Sequence, residues 1–227
     1  MSIQFKNIQC ELGGRNILKN ISGEIKYGTV TAILGRNGCG KSTFLRALLG
    51  LVPLKNGEIS GFSKRLGYLP QAKEIYWPLT CEAIMNLGNQ NSARDSDIPG
   101  RLKIKHLLEK RIDEISGGER TLVLLARALI DRPEILIADE PVSELDPSYQ
   151  IQVMKILCEE ALRGAAVLTT MHDVNLTAQF ADQVFLMRDG QIFAEGPVTR
   201  VLNQANLEAI FESVFEEKRG FCVADDS

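Results

Sequence analysis

The chain has 227 residues, of which 44% are hydrophobic and 24% charged, and its formal net charge is −3. These values are typical of a globular protein large enough for one domain with a small subdomain. The weak negative charge gives no general attraction to polyanions, so we expect no nucleic-acid partner.

The sequence also lacks several features of exported and membrane-spanning proteins. It has no uncharged apolar run of roughly 18 residues, and Met1 to Lys6 do not look like a secretory signal. The five cysteines include no C-x-x-C pair, which argues against a disulfide framework and a zinc site. We therefore expect a cytoplasmic protein.

The N-terminal part of the chain has the pattern of strands. Residues 3–34 alternate apolar and polar side chains, with breaks at Gly13-Gly14 and Tyr27-Gly28, which predicts antiparallel strands joined by turns. Thr29 to Leu34 is predicted to be a buried strand, and residues 41–51 have helical spacing. The segment between them is therefore a strand-to-helix turn.

This turn contains the pattern G-x-x-x-x-G-K-[ST], whose glycines let successive backbone N–H groups point at one ligand. The start of the following helix adds its positive dipole end, so the turn is predicted to hold phosphate. Lys41 would reach the β- and γ-phosphates, and the Ser42 hydroxyl would coordinate Mg²⁺. A glycine-rich turn with an incidental lysine is the alternative. The predicted binding residues are Gly35, Arg36, Asn37, Gly38, Cys39, Gly40, Lys41, Ser42 and Thr43.

Weaker patterns follow the first helix. Short strands are predicted at 57–59 and 65–69, the second ending at Pro70-Gln71. Residues 79–87 and 101–110 have weak helical patterns. The polar stretch between them, 88–100, is predicted to be an exposed loop.

Helices and strands alternate clearly from Ser116 onward. Ser116 is a good N-cap for a helix that ends before Pro133, and Asp146-Pro147 is a typical start for a second helix, ending near Leu162. A third helix ends at Ala181. The predicted strands are 134–139, 165–170, 183–187 and 191–194. This alternation predicts an α/β fold with a mainly parallel sheet.

Two acidic residues stand at the end of the strand predicted at 134–139: Asp139 is its last residue and Glu140 follows it. Asp139 could supply a second magnesium ligand, and Glu140 could polarise an attacking water. Acids at a strand end often only cap the next helix, which is the alternative. The phosphate-binding turn earlier in the chain favours the metal and water roles.

Six motifs occur in the order found in ATP-binding-cassette (ABC) ATPases, which the chain resembles over nearly its whole length. They correspond to the family's Walker A, Q-loop, signature, Walker B, D-loop and switch histidine. Their positions are 35–43, Gln71, 116–119, 138–141, 143–146 and His172.

The resemblance implies a P-loop NTPase core with a mainly parallel sheet, an N-terminal antiparallel β subdomain and a small, shortened helical subdomain. The whole chain, 1–227, would be a single ABC ATPase domain, with the helical subdomain at about 72–130. It also implies an ATPase with ATP and Mg²⁺ as cofactors.

The resemblance further implies roles for individual residues. Gln71 would contact magnesium or water, so that the predicted metal ligands are Ser42, Gln71 and Asp139. His172 would hydrogen-bond the γ-phosphate, and the predicted catalytic residues are Glu140, His172 and Gln71. Ser116, Gly117 and Gly118 would close over ATP bound by a second copy of the chain in a head-to-tail dimer.

Three local features set expectations that the structure can test. We expect Cys39, in a phosphate-binding turn at a helix N-terminus, to have a lowered thiol pKa, and its alkylation to inhibit the protein unless ATP protects it. Leu12 stands where many family members have an adenine-stacking aromatic ring, which predicts weaker nucleotide binding by about 0.5 to 1.5 kcal/mol. The signature begins after Ile115 and continues with Glu119, which are conservative departures.

Two stretches of the sequence resemble ATPases that drive metal-chelate importers for siderophores, haem or cobalamin. They are 76–80, and 171–176 with its continuation to 189–197. Tyr76 and Trp77 would then face a transmembrane permease, with core packing as the alternative. The protein would lie on the inner face of the cell membrane.

A soluble ABC ATPase acting on a cytoplasmic protein is the second interpretation of the sequence, and a nucleotide-gated binding module is the third. Residues after Phe211 show no clear period.

Overall fold

A computed structural model describes residues 2–72, 75 and 77–211, together with the backbone of 215–218 and 221–224. Its strands are β1 (Ser2–Leu12), β2 (Arg15–Lys26), β3 (Val30–Leu34), β4 (Asn56–Ser60), β5 (Leu66–Leu69), β6 (Ile135–Asp139), β7 (Ala166–Thr170), β8 (Gln183–Arg188), β9 (Gln191–Pro197), β10 (Phe215–Lys218) and β11 (Phe221–Ala224).

Helices connect these strands, and the longest ones lie in the second half of the chain. They are α1 (Lys41–Leu48), α2 (Cys81–Asn86), α3 (Ile98–Arg101), α4 (Gly117–Leu129), α5 (Pro147–Leu162), α6 (Val174–Phe180), α7 (Val198–Val201) and α8 (Gln204–Phe211). Two 3₁₀ turns occur at Lys105–Leu107 and Ile112–Glu114.

The main sheet has the strand order β5-β6-β7-β3-β8-β9. Neighbouring strands from β5 to β8 pair in parallel, and only β9 pairs antiparallel, with β8. A three-stranded antiparallel sheet, β2-β1-β4, comes from the N-terminal segment, and β10 pairs with β11. The predicted mixed α/β fold with a mainly parallel sheet is confirmed.

Two apolar cores form on opposite faces of the main sheet, because successive side chains of a strand point to opposite faces. Ile135 and Ile137 belong to the core that contains α1 and the three-stranded sheet. Leu136 and Ala138 belong to the core that contains α4 and α5. By the same alternation, Asp139 lies on the α1 face, at the carboxyl end of β6.

The segment between Gln71 and Ser116 departs from the prediction in two places. The helix predicted at 101–110 does not form, because α3 ends at Arg101 and Lys103 has a φ of 58°, which an α-helix of L-residues cannot continue. The predicted exposed loop 88–100 contributes Ala93 and Ile98 to the buried core. The prediction missed these two core residues because the segment is mostly polar. Among the described residues, no helix is both long and apolar enough to span a membrane.

An aromatic cluster joins α1 to the sheets on either side of it. The Phe44 ring lies edge-to-face against Phe5 with centroids 5.1 Å apart, and Phe5 lies 6.0 Å from Phe185 in the same geometry. Phe44 and Phe5 are fully buried. The N-terminal sheet is therefore fixed to the helix that follows the phosphate-binding turn.

We expect Phe44→Ala to lower the free energy of unfolding by about 3 to 5 kcal/mol, because it leaves a cavity between the sheets. Urea unfolding followed by circular dichroism measures this. Phe193→Ala is the control, since that ring is 41% exposed, and its loss should cost much less. Equal losses for the two variants would contradict the packing role of Phe44.

Candidate functional site

The predicted phosphate-binding turn borders a cleft of about 580 Å³ at the carboxyl end of the main sheet. Five different segments of the chain line this cleft, so the fold brings together groups that are far apart in sequence. The lining residues are Ile17, Asn37, Gly38, Gly40, Lys41, Ser42, Thr43, Gln71, Glu140 and His172. Gly35, Arg36 and Cys39, which were also predicted to bind, are not part of this lining.

The turn is shaped for an anion. Gly40 precedes α1 with a φ of 110° and no side-chain cap, so the first N–H groups of the helix have no side-chain acceptor at that position. Lys41 is only 6% exposed, and its Nζ donates to the carbonyls of Gly35 at 2.7 Å and Arg36 at 3.3 Å. The ammonium is thereby held inside the curl of the turn, as phosphate binding requires.

The turn between β8 and β9 hydrogen-bonds to the phosphate-binding turn. The Gly190 N–H donates to the Cys39 carbonyl at 2.9 Å, and the Gly190 carbonyl accepts from the Lys19 N–H at 2.8 Å. A Cβ at position 190 would come within 2.1 Å of the Ile17 carbonyl, so only glycine fits there. Main-chain atoms thus connect β2, the β8–β9 turn and the phosphate-binding turn.

Glu140 is the centre of a chain of polar contacts across the cleft. Its Oε1 accepts from Gln71 Nε2 at 3.0 Å and lies 2.7 Å from His172 Nε2. Gln71 Oε1 accepts from the Ser42 hydroxyl at 3.3 Å. An ionised carboxylate can only accept, so the His172 ring carries a proton on Nε2 in this arrangement. The structure brings together the three residues predicted to be catalytic.

Asp139 lies beneath this chain of contacts and is fully buried. Its Oδ1 accepts from the hydroxyl of Thr170 at 2.6 Å, whereas its Oδ2 has no hydrogen-bond partner among the described residues. The same Thr170 oxygen accepts from the backbone N–H of Glu140 at 2.8 Å. Glu140 has a φ of 52°, a conformation that costs about 1 to 3 kcal/mol in a residue other than glycine and is often found at functional sites.

These groups fit a magnesium ion. A buried carboxylate oxygen without a partner is costly unless a donor or cation reaches it, and Asp139 Oδ2 is such an atom. Ser42 Oγ and Gln71 Oε1 are further oxygen donors of the kind that Mg²⁺ prefers, with substrate phosphate and water completing its shell. Ser42, Gln71 and Asp139 therefore remain the predicted metal ligands.

The predicted signature residues lie elsewhere. Ser116 caps α4 in a capping box, in which its hydroxyl accepts from the Glu119 N–H at 3.2 Å and its own N–H donates to Glu119 Oε2 at 2.9 Å. That backbone hydrogen bond is the main cause of a lowered Glu119 pKa. Ser116, Gly117 and Gly118 are not among the residues that line the cleft. One chain therefore does not bring the two predicted phosphate-binding elements together.

The comparisons with known proteins identify the family. The family model described as "ABC transporter" matches residues 18–143, which include the phosphate-binding turn, Ser116 and Glu140. The chain belongs to the ABC transporter ATPases.

Relatives of this ABC ATPase include named import proteins. It is 36% identical over 236 residues to the hemin import ATP-binding protein HmuV of Roseobacter denitrificans, covering 93% of this chain and 90% of the relative. It is 32% identical over 216 residues to the zinc import ATP-binding protein ZnuC of Halorhodospira halophila, covering 93% and 83%.

Two solved structures have the same fold. A metal-chelate type ABC transporter in an inward-facing conformation matches with a TM-score of 0.82 and 25% identity over 98% of this chain and 95% of the other. The dimeric, post-hydrolysis cassette MJ0796, bound to ADP and phosphate, matches with a TM-score of 0.76 and 22% identity over 86% and 98%. The predicted P-loop NTPase architecture is thereby confirmed.

The expectation for Cys39 was wrong. The side chain is only 8% exposed and packs in the core that contains α1, so burial raises its thiol pKa more than nearby Lys41 and the backbone N–H groups lower it. Position in the turn suggested a thiolate at a helix N-terminus, but the side chain is buried among apolar residues, and the effect of burial on the thiol pKa outweighs that of Lys41 and the backbone N–H groups.

Two residues of this ABC ATPase site were not found from the sequence. Ile17 lines the cleft, whereas Leu12, the residue considered for the adenine contact, is 39% exposed and not part of the lining. Thr170 was seen only as the end of a strand. An apolar residue and a threonine in strands carry no motif, and only the sheet register reveals their position.

The raised pKa of Cys39 predicts slow alkylation at neutral pH. Iodoacetamide should modify Cys39 in the folded protein at least about tenfold more slowly at pH 7 than in urea, with the rate rising as pH increases, because the thiol stays protonated. Peptide mass spectrometry of timed samples measures these rates. If the folded protein is labelled at pH 7 as fast as in urea, the raised pKa of Cys39 is contradicted. That result would support the original expectation of a lowered pKa and of inhibition by alkylation.

Proposed function

We propose that this protein is the ATP-hydrolysing subunit of a membrane importer. The observation that carries the proposal is the contact of Glu140 with both Gln71 and His172, next to a phosphate-binding turn and a buried carboxylate. A nucleotide-binding module without turnover would not need a strained glutamate in that place. The relatives named for hemin and zinc import favour a transport role over a soluble assembly ATPase.

Each group has a physical task in hydrolysis. The N–H groups at the start of α1 and the Lys41 ammonium bind the β- and γ-phosphates. Asp139, Ser42 and Gln71 would hold Mg²⁺, which, when bound, offsets charge on the phosphate oxygens. Glu140 would accept the proton of the attacking water, and His172 Nε2 holds the Glu140 carboxylate in place. With ATP bound, His172 would hydrogen-bond the γ-phosphate.

The site requires a second copy of the chain. Ser116, Gly117 and Gly118 open α4 and offer a second set of N–H groups for an anion, but they are not in the cleft of their own chain. In a head-to-tail dimer, each copy would close its signature over the ATP held by the other. The dimeric cassette among the solved structures is consistent with this arrangement.

The proposed cargo is an iron chelate, haem or cobalamin. This choice draws on the hemin import relatives and the metal-chelate transporter structure, while the zinc import relative keeps a bare metal ion as the competing cargo. The cargo itself would be recognised by the permease. The ATPase would therefore lie on the inner face of the membrane, bound to permease subunits.

Trp77 is the proposed permease contact. Its side chain is 72% exposed, which contradicts the alternative that it packs in the core. It follows Gln71 by six residues in the chain. Tyr76, named with it, lies outside the described residues.

Glu140→Gln should preserve ATP binding and lower kcat by about 10² to 10⁴, because an amide cannot accept the proton from water. Phosphate release measures kcat, nucleotide fluorescence measures affinity, and size-exclusion chromatography should show a dimer stabilised by ATP. The control is Glu109→Gln, whose carboxylate is exposed and is not part of the cleft lining. A parental rate for Glu140→Gln would exclude this residue as the base.

Trp77→Ala should reduce recovery of a co-expressed import permease with the tagged ATPase by about tenfold or more, since buried tryptophans dominate interfaces. ATP hydrolysis by the free subunit should stay within twofold of the parent. Leu162→Ala provides the control, because Leu162 is also exposed but lies at the end of α5. Equal recovery with both variants would remove Trp77 from the interface.

A further inference from the structure

Thr170 occupies a central place between two residues of the proposed catalytic site. It is the last residue of β7, and the sheet register sets it directly opposite Asp139 of β6. It is fully buried. Its hydroxyl lies 2.6 Å from Asp139 Oδ1 and 2.8 Å from the backbone nitrogen of Glu140.

The chemistry of the three groups fixes the direction of both hydrogen bonds. The Asp139 carboxylate can only accept, and the Glu140 N–H can only donate. The Thr170 hydroxyl must therefore donate its proton to Asp139 and accept the proton of Glu140. Threonine or serine can do both at once, whereas valine, of nearly the same shape, can do neither.

The first bond selects the carboxylate oxygen that is left for a metal. Thr170 satisfies Asp139 Oδ1, and Oδ2 is the buried oxygen without a partner among the described residues. Hydrogen bonds to the ligands of a metal fix their orientation and tune their affinity, and their removal typically costs 10- to 100-fold in affinity or activity. Thr170 thus holds Asp139 in one orientation.

The second bond holds the main chain at Glu140. That residue has a φ of 52°, so its conformation needs support from its surroundings. The Thr170 hydroxyl accepts from the Glu140 N–H and so fixes the backbone of Glu140. The Glu140 side chain extends from this fixed backbone to contact Gln71 and His172. One hydroxyl therefore positions the metal ligand and the proposed base together.

We infer that Thr170 is a positioning residue for ATP hydrolysis, which couples the orientation of the magnesium ligand Asp139 to that of the base Glu140. The inference rests on the proposed function and adds a residue to it. Thr170 acts through Asp139 and Glu140 and does not contact the nucleotide cleft itself, since it is not part of the cleft lining.

The neighbouring Thr169 gives a matched control within the same strand. It is equally buried, but its hydroxyl lies near the Thr170 carbonyl at 3.4 Å and the Met171 sulfur at 3.9 Å. The two threonines point to opposite faces of the sheet. Thr170→Val and Thr169→Val thus make the same chemical change at adjacent buried positions.

The test compares these two variants with the parent in two measurements. Nucleotide binding is titrated with ATP in EDTA and in Mg²⁺, and ATP hydrolysis is measured over a range of Mg²⁺ concentrations. For Thr170→Val we expect metal-free ATP affinity within about twofold of the parent. We expect the Mg²⁺ concentration for half-maximal hydrolysis to rise about tenfold or more, and kcat to fall by about 10- to 100-fold. Thr169→Val should match the parent in all of these.

A second pair separates the hydroxyl from packing, in case Thr170→Val does not fold. Thr170→Ser and Thr170→Ala both remove the same methyl group, and only serine keeps the hydroxyl. The serine variant should have the parental Mg²⁺ dependence, and the alanine variant should have the weakened one. Serine and alanine variants with the same Mg²⁺ dependence would overturn the inference.

The outcomes distinguish failure of the inference from failure of the proposed function. If Mg²⁺ changes ATP binding and hydrolysis in the parent but Thr170→Val behaves as Thr169→Val does, Thr170 has no positioning role and the proposed function stands. If the parent neither hydrolyses ATP nor responds to Mg²⁺, the proposed function and the inference both fall.

Discussion

The parallel register of β3, β6 and β7 is the constraint on which the rest of the site depends. It places Asp139 opposite Thr170, and Thr170 opposite Ile33 of the strand that leads into the phosphate-binding turn. Three strand ends therefore meet at one edge of the sheet, with an anion-binding turn beside a carboxylate. Side chains alternate between faces, so a shift of one residue in β6 would turn Asp139 toward the other core.

The two cores keep that register in place and give the ATPase its two kinds of surface. On the α1 face, aromatic rings fix the N-terminal sheet and the phosphate-binding turn into one unit. On the opposite face, α4 carries the signature residues at its start, away from the cleft. A chain built in this way presents the proposed nucleotide site and the proposed second anion site on separate surfaces, and the proposed hydrolysis needs two chains to unite them.

Most of the fold and the outline of the site could be predicted from the sequence. The strong local signals were the glycine-rich turn, the N-cap at Ser116 and the strand that ends in Asp139, since each is determined by neighbouring residues. The errors came where distant packing decides. The mostly polar segment 88–100 contains two buried core residues, Ala93 and Ile98, and the Cys39 side chain packs in the core. Thr170 is found only through strand pairing.

The turn at Gly190 has a consequence for how sequences of this kind are read. Its links to Cys39 and Lys19 use main-chain atoms alone, so they place no demand on the side chains at either of those positions. The requirement falls on position 190 itself, where a side chain would meet the Ile17 carbonyl. The shape of the phosphate-binding turn thus depends in part on a glycine that lies well outside the motif that predicts the turn.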